Sequence, residues 1–178
     1  MYKNTSAQQI LSAKNNPLKN ISLLNPFECI EYLVALENSN CASKETGWQP
    51  MHFYKSKRDK SAFINLYKKN NSHGEFVFDY SWANAFIRNG LSYYPKLVSA
   101  IPFTPCKSKK VFGDDEISNE LIDEIKKMMH DESINSWHIL FPVNEERKVF
   151  LKHDFIERFG YRFVWQNKNF VDFEDYLS

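Results

Sequence analysis

The sequence predicts a single α/β domain in which helices flank a mixed, partly parallel sheet. In the second half of the chain, strand-like and helical patterns alternate in the order strand, helix, strand, helix, strand. The 178 residues, of which 43% are hydrophobic and 16% aromatic, suffice to bury one core without metal or disulfide support. We therefore expect residues 1–178 to form one domain.

The first half of the chain predicts a helix, a hairpin and a helical turn. Residues 26–38 place apolar side chains at helical spacing, and Asn25 is a suitable N-cap. Residues 51–55 and 62–68 predict the two strands of a hairpin, which the polar segment SKRDKS connects. Residues 82–88 predict a helical turn that ends at the following glycine.

The second half predicts three strands and three helices. The strands cover 97–101, 136–141 and 161–165, and the helices cover 116–130, 144–154 and 173–177. The acidic residues Asp114 and Asp115 precede the longest helix, where they favour its N-terminus. The strand at 97–101 is mostly apolar and has prolines on both sides, which is typical of a buried strand.

Composition and charge exclude several classes of function. The net charge of +1 provides no overall field for a polyanion, so nucleic-acid binding would need a local basic patch. Cys29, Cys41 and Cys106 lack metal-type spacing, so we expect reduced thiols in a cytoplasmic protein. The opening residues lack the apolar core of a signal peptide, and no apolar run reaches membrane-spanning length. The five histidines are scattered, and we predict no metal site.

Residues 72–105 carry most of the functional information. These thirty-four residues contain eight aromatics, three prolines and two glycines. Polar residues are interleaved among the aromatics: His73, Glu75, Asp79, Asn84, Tyr94, Lys96 and Thr104. A binding site combines apolar walls with a few placed polar groups, so this segment predicts one. The alternative is a solvated loop over an aromatic mini-core, in which Asp79 and Asn84 cap a short helix.

The two carboxylates are the candidate catalytic residues. Glu75 or Asp79 would act as a general base, with His73 as a neighbour, and burial among aromatics would raise the pKa of either carboxyl group. The structural alternatives are that Glu75 points to solvent and that Asp79 caps the following turn.

The candidate substrate-binding residues also have structural alternatives. Lys96 would hold a phosphate or carboxylate of the acceptor, or would lie at the surface over tyrosines. Tyr94 and Thr104 would donate hydrogen bonds to the substrate, or would satisfy the backbone. Trp82 and Trp48 would stack on a sugar or peptide, or would pack in the core. His138 would face the site from its strand, or would be a satisfied core histidine.

At this segment the chain resembles a known family. FDYSWANAF followed by YYPKLVSAIPFTP is very similar to the signature of the FemAB-like N-acyltransferases, the peptidoglycan biosynthesis/recognition proteins of the GNAT superfamily. The stretches TGWQPMHF, NSWHILFP and GYRFVWQNKNFVDFEDYL fall in the same order and spacing as in that family. The resemblance covers about Asn25 to the last residue.

The resemblance implies a GNAT-like domain that transfers an acyl or aminoacyl group to an amine-bearing small molecule or peptide. Members of the family continue into a second GNAT-like half, so a second half on another chain is a candidate partner. Acyl-CoA and aminoacyl-tRNA are the candidate donors. Five glycines are present, but none forms the loop that would cradle a pyrophosphate, so we predict no cofactor bound by a recognisable motif.

One stretch departs from the family pattern. Where the family usually has QFHWHN, this sequence has RFVWQN at 162–167, so two histidines and a glutamine are replaced while Trp165 and Asn167 are retained. A role for this stretch in proton transfer is therefore not expected.

The alternative function is a non-catalytic module that recognises a peptidoglycan-type or peptide ligand.

Overall fold

The computed structural model describes residues 3–19, 25–77, 79–161 and 163–177, and it confirms the predicted α/β fold. The strands are β1 Lys3–Thr5, β2 Gln49–Pro50, β3 His52–Lys57, β4 Lys60–Ile64, β5 Tyr67–Lys69, β6 Lys96–Ser99, β7 Val111–Gly113 and β8 Trp137–Ile139. The helices are α1 Ala7–Leu11, α2 Ile30–Asn38, α3 Tyr80–Arg88, α4 Asp115–Asp131, α5 Arg147–Lys152 and α6 Phe173–Leu177, with 3₁₀ turns at Pro26–Glu28 and Asn144–Glu146.

The strands form two sheets. The order in the first sheet is β1-β3-β4-β7, and all of its neighbours are antiparallel. The order in the second sheet is β2-β5-β6-β8, in which β6 and β8 run parallel. Helix α4 lies between β6 and β8 in the chain, as expected for the connection between parallel strands.

One long hairpin connects the two sheets. Strands β3 and β4 pair across the turn at Arg58 and Asp59, as the sequence predicts, and their continuations β2 and β5 pair in the second sheet. At the junction, the amide of Met51 donates to the carbonyl of Leu66 (2.9 Å), while His52 Nδ1 accepts from the amide of Leu66 (3.0 Å). The sheets therefore share a continuous two-stranded ribbon.

Helix α4 forms where its sequence pattern predicts it. The side chain of Asp114 accepts hydrogen bonds from the amides of Glu116 and Ile117, so it caps the helix. The apolar face of α4 is buried in the main core against β3 and β4: Ile117, Leu121, Ile122, Ile125 and Met128. The cap and the apolar stripe together explain the agreement with prediction.

The N-terminal elements were not anticipated. Ser6 and Gln9 form a capping box at the start of α1, and both amide-to-side-chain bonds are present. The pattern S-x-x-Q was the signal that would have revealed this helix. The predicted helix at 26–38 is present as a 3₁₀ turn followed by α2, and Asn25 caps the turn through the amide of Phe27.

The predicted strand at 161–165 is wrong over its described residues. Tyr161 and Phe163–Trp165 lie in no strand, and their side chains are largely exposed. Their apolar pattern is typical of a strand, but within the described residues they pair with no other strand. Trp165 instead packs locally against Phe170 and Tyr176.

Cys29, Cys41 and Cys106 form no disulfide with one another. Among the described residues, no helix has the length and apolar character needed to cross a bilayer.

Gly113 tests the pairing of β7 with β4. Its φ is +107°, and an added Cβ would lie 2.1 Å from the carbonyl oxygen of Ser61, so Gly113→Ala forces the two strands apart. We expect the free energy of unfolding to fall by about 2 to 4 kcal/mol, measured by urea denaturation. Gly90→Ala is the matched control, because φ is +70° there but no heavy atom lies within 4 Å of the new Cβ. Its expected loss is about 1 kcal/mol, and equal losses in the two variants would contradict the packing argument.

Candidate functional site

Strand register places two lysines side by side in the protein interior. Lys69 on β5 and Lys96 on β6 are directly paired across the antiparallel strands, so their side chains leave the same face of the sheet. Both residues are completely buried. Like charges in opposed positions destabilise a sheet, so this pair requires compensating anions nearby.

The ammonium group of Lys96 is the centre of the site. It donates to Asp79 Oδ2 (2.5 Å), to Glu75 Oε2 (2.8 Å) and to Ser72 Oγ (2.8 Å). An ammonium has three hydrogens, so all of its donor capacity is used within the protein. Lys96 therefore has no hydrogen left for a substrate phosphate or carboxylate. It is also not the surface lysine of the structural alternative.

Asp79 reaches the site from the residue before α3. The hydroxyl of Tyr93 donates to Asp79 Oδ2 (2.6 Å), the same oxygen that Lys96 contacts. Although Asp79 occupies the N-cap position, its side chain makes no capping hydrogen bond within the described part of α3. Burial alone would raise the pKa of Asp79, but hydrogen bonds from Lys96, Ser72 and Tyr93 hold it below its usual range. The expectation of a raised pKa is not met for this residue.

Glu75 lies between the two lysines. Its Oε2 accepts from Lys96, and its Oε1 is 3.8 Å from Lys69 Nζ. The residue is 2% exposed, so the alternative in which it points to solvent is wrong. Burial raises the pKa of Glu75 despite both ammonium groups. Glu75 Oε1 and Asp79 Oδ1 are buried and have no hydrogen-bond partner among the residues that the structure describes.

Lys69 is held by an aromatic ring and a backbone carbonyl. Its ammonium lies 3.7 Å from the centre of the Trp48 ring and donates to the carbonyl of His73 (2.9 Å). Trp48 Nε1 donates to the same carbonyl (3.1 Å). Desolvation lowers the pKa of Lys69 to about 8 even though Glu75 is close.

His138 approaches the cluster from β8. Its Nδ1 is 4.0 Å from Asp79 Oδ2, and its ring packs edge-on against Tyr93. Burial, and then the positive charge of Lys96, lower the pKa of His138 to about 4, so the imidazole is neutral at physiological pH. The hydroxyl of Tyr94 lies 2.8 Å from Ser72 Oγ and so completes the polar network.

Four of the predicted site residues do not place their side chains in the cluster. The side chain of His73 is exposed, and only its carbonyl enters the network. Trp82 and Asn84 lie on the exposed surface of α3, where Arg158 covers the Trp82 ring at 4.6 Å. Thr104 Oγ1 donates to the carbonyl of Pro102 and lies 3.4 Å from the Tyr32 hydroxyl. The structure therefore brings together Glu75, Asp79, Tyr94, Lys96 and His138.

Lys69, Ser72 and Tyr93 belong to the buried network but were not predicted from the sequence. A lysine within a strand is ordinarily assigned to solvent, so composition gave no reason to place Lys69 inside. Its one signal is alternation, since Lys69 is two residues from the buried Tyr67 and therefore shares its face. Tyr93 adjoins Tyr94 in the sequence, and only the tertiary contact shows which hydroxyl reaches Asp79.

A metal ion would have to displace Lys96. Glu75, Asp79 and His138 each offer one ligand atom, and these atoms lie within 4.8 Å of one another, a geometry suited to a cation. The two carboxylates are already matched in charge by Lys69 and Lys96, and the Lys96 ammonium contacts both at hydrogen-bond distance. We therefore assign the ammonium group as the cation of this cluster.

The described residues offer no obvious phosphate cradle. The N-terminus of α4 follows Gly113, but Asp114, Asp115 and Glu116 surround it with negative charge, which disfavours a pyrophosphate. Two surface hollows of about 500 Å³ lie elsewhere. One is lined by Lys126, Met129, His130, Ser133, Ile134 and Asn135, and the other by Trp165, Asn167, Phe170, Asp172, Phe173 and Tyr176.

The buried charge of Lys69 makes the stability of the fold dependent on pH. The pKa of Lys69 is about 8 in the folded protein, below the ordinary lysine value of 10.5 that we assign to the unfolded chain, so its protonated form disfavours folding. Stability should therefore rise as the pH increases from 8 towards 10. In Lys69→Met this rise should be smaller than in the wild type by roughly 1 to 2 kcal/mol, measured by denaturant unfolding at pH 7.5 and 9.5. Lys68→Met is the control, since Lys68 lies on the opposite face and is partly exposed. An unchanged rise in Lys69→Met would contradict the assignment.

The chain also matches a family of known proteins. The family model FemAB-like, described as peptidoglycan biosynthesis/recognition, matches residues 6–178. No curated protein and no solved structure gives a significant match. The match includes each residue of the buried cluster and nearly the whole chain. The chain therefore belongs to the FemAB-like family of peptidoglycan biosynthesis/recognition proteins.

Proposed function

We propose that this chain is an N-acyltransferase of the GNAT type, which transfers an acyl or aminoacyl group to an amine acceptor. The observation that carries the proposal is the buried array of Glu75, Asp79 and Lys96, with His138 at its edge, in a chain of a peptidoglycan biosynthesis family. Buried, charge-coupled groups with shifted pKa values are concentrated at functional sites.

The array fits the needs of acyl transfer to nitrogen. The reaction requires a group that accepts a proton from the attacking amine and positive charge that stabilises the developing oxyanion. Glu75 and Asp79 each keep one oxygen without a hydrogen-bond partner among the described residues, so the array retains unused acceptor capacity, and one of its groups accepts the proton. Because the hydrogens of Lys96 are all used, its role is to hold both carboxylates in place and to provide positive charge.

The donor and the partner follow from the resemblance to the family. Acyl-CoA and aminoacyl-tRNA remain the candidate donors, and the acceptor is an amine-bearing small molecule or a peptide of the peptidoglycan type. The acidic residues at the N-terminus of α4 disfavour binding of the donor's phosphates at that helix. A second GNAT-like half on another chain is the candidate holder of the donor.

A second candidate function is recognition without catalysis. The observation that favours it is the depth of the carboxylates, since Glu75 is 2% and Asp79 4% exposed. The two described hollows also contain none of the cluster residues. In this interpretation the cluster stabilises the fold, and the chain binds a peptidoglycan-type or peptide ligand elsewhere.

Asp79→Asn separates the two functions. The variant keeps the shape of the side chain but removes the charge that faces Lys96 and His138. With acetyl-CoA and lysine or a diamine as acceptor, we expect thiol release to fall by about 10²-fold or more relative to the wild type. The assay is repeated with an aminoacyl-tRNA, in which case deacylation that depends on the amine is measured.

The control for this experiment is Asp131→Asn, because Asp131 lies at the exposed end of α4. Asp79→Asn should also lose about 1 to 3 kcal/mol of unfolding free energy, so both variants are assayed at a temperature where circular dichroism shows them folded. If the wild type turns over neither donor but binds a peptidoglycan peptide, and Asp79→Asn binds it equally well, the recognition function replaces the transferase.

A further inference from the structure

Among Glu75, Asp79, Lys96 and His138, His138 is the residue that a substrate can reach. Its side chain is 25% exposed, whereas those of Glu75 and Lys96 are 0% and that of Asp79 is 5% exposed. Strand β8, which carries His138, is the last strand of its sheet over the described residues. A reacting group needs contact with the substrate, and this geometry favours the imidazole over both carboxylates.

The carboxylates are poorly available as proton acceptors. Asp79 Oδ2 receives hydrogen bonds from both Lys96 and Tyr93, which stabilise its ionised form. Glu75 lies deeper, because its side chain is 0% exposed and its two carboxylate oxygens face the ammonium groups of Lys96 and Lys69. The charged residues that face His138 are Asp79 and Lys96, and the aromatic ring that faces it is Tyr93.

The position of Asp79 favours one tautomer of His138. A carboxylate only accepts hydrogen bonds, so the negative charge 4.0 Å from Nδ1 favours the imidazole that carries its hydrogen on Nδ1. In that tautomer Nε2 is the acceptor. The distance is longer than a hydrogen bond, and such contacts commonly shorten when a substrate binds. An imidazole oriented by a buried carboxylate is the arrangement used for general-base catalysis in unrelated enzymes.

We propose that His138 is the general base of this site and that Asp79 is the residue that positions it. The assignment rests on the proposed function and identifies which group of the cluster accepts the proton. The acceptor nitrogen attacks the carbonyl carbon of a thioester or ester, and a C–N bond forms. His138 Nε2 takes the proton from that nitrogen while the N–H electron pair remains there. The intermediate then expels the thiolate or alkoxide, which takes the proton from the imidazolium.

In this scheme the positive charge of Lys96 helps to keep His138 unprotonated. Its charge disfavours protonation of His138 in the resting protein, and the pKa of about 4 reflects burial together with this charge. The imidazole is therefore unprotonated throughout the neutral range. We expect the reaction rate to fall as the pH drops through about 4, where His138 becomes protonated, instead of through the ordinary histidine value of about 6.5.

His138→Gln tests the proposal directly. We expect its turnover to fall by about 10²-fold or more while the dissociation constant for the acceptor changes by less than about threefold. Added imidazole should restore part of the activity in His138→Ala, since a free base then replaces the missing side chain. The matched control is His130→Gln, because His130 is 92% exposed at the end of α4.

A second measurement does not depend on turnover. Nitrogen-15 NMR of the imidazole should show the Nδ1–H tautomer at neutral pH in the wild type, and Lys96→Met should raise the pKa of His138. Lys69→Met, which also removes a buried ammonium, should move the His138 pKa less, because Lys69 is not among the groups that shift it.

The outcomes separate the proposal from the proposed function. Wild-type turnover that survives in His138→Gln overturns the base assignment alone, and so does an Nε2–H tautomer. Activity that is lost together with acceptor affinity and is not restored by imidazole makes His138 a binding residue, which also overturns the assignment. Absence of turnover in the wild type with both donor classes overturns the proposed function, and the general base falls with it.

Discussion

The hydrogen bonds of one buried ammonium group determine how the candidate site is arranged on β6. Lys96 projects from β6 and satisfies its three hydrogens on Ser72, Glu75 and Asp79, which belong to the segment that covers this face of the sheet. Removal of Lys96 would leave two carboxylates in the interior without their main counter-charge, and such uncompensated burial is among the most costly changes in a core. The positions of Ser72, Glu75 and Asp79 therefore depend on an electrostatic requirement as well as on apolar packing.

Local patterns predicted the regular elements of the fold, and long-range pairing decided the rest. Helix α4 and the β3–β4 hairpin were predictable because a cap, an apolar stripe or an alternation determines each within a few residues. The site was predictable in part. The mixture of polar groups and aromatics identified Glu75, Asp79 and Lys96, but the sequence does not show that strand register places Lys69 opposite Lys96. That contact depends on residues twenty-seven positions apart, which no local pattern encodes.

The incorrect strand at 161–165 has a related physical cause. An apolar alternation shows that a segment is suited to a sheet, but a strand forms only where a neighbouring edge accepts its hydrogen bonds. Tyr161, Phe163 and Trp165 have the required pattern, but over the described part of the chain they pair with no strand, and their side chains remain exposed. A suitable apolar pattern and an available neighbouring strand are therefore two separate conditions for strand formation. The same distinction explains α1, whose capping box supplied a local signal and whose apolar residues Ala7 and Ile10 found a partner core.

The energetic character of the Lys96 cluster argues for function beyond structure. A core of equal volume built from apolar residues is often as stable as a buried ion cluster or more so, so stability alone gives little reason for four charges in this position. Two carboxylate oxygens, Glu75 Oε1 and Asp79 Oδ1, also lack a hydrogen-bond partner among the described residues, which adds a desolvation cost that a purely structural cluster would avoid. Costs of this kind are typically retained where charged groups act on a ligand. His138, neutral and partly exposed, lies beside Asp79 at the edge of this cluster, where a ligand can contact it.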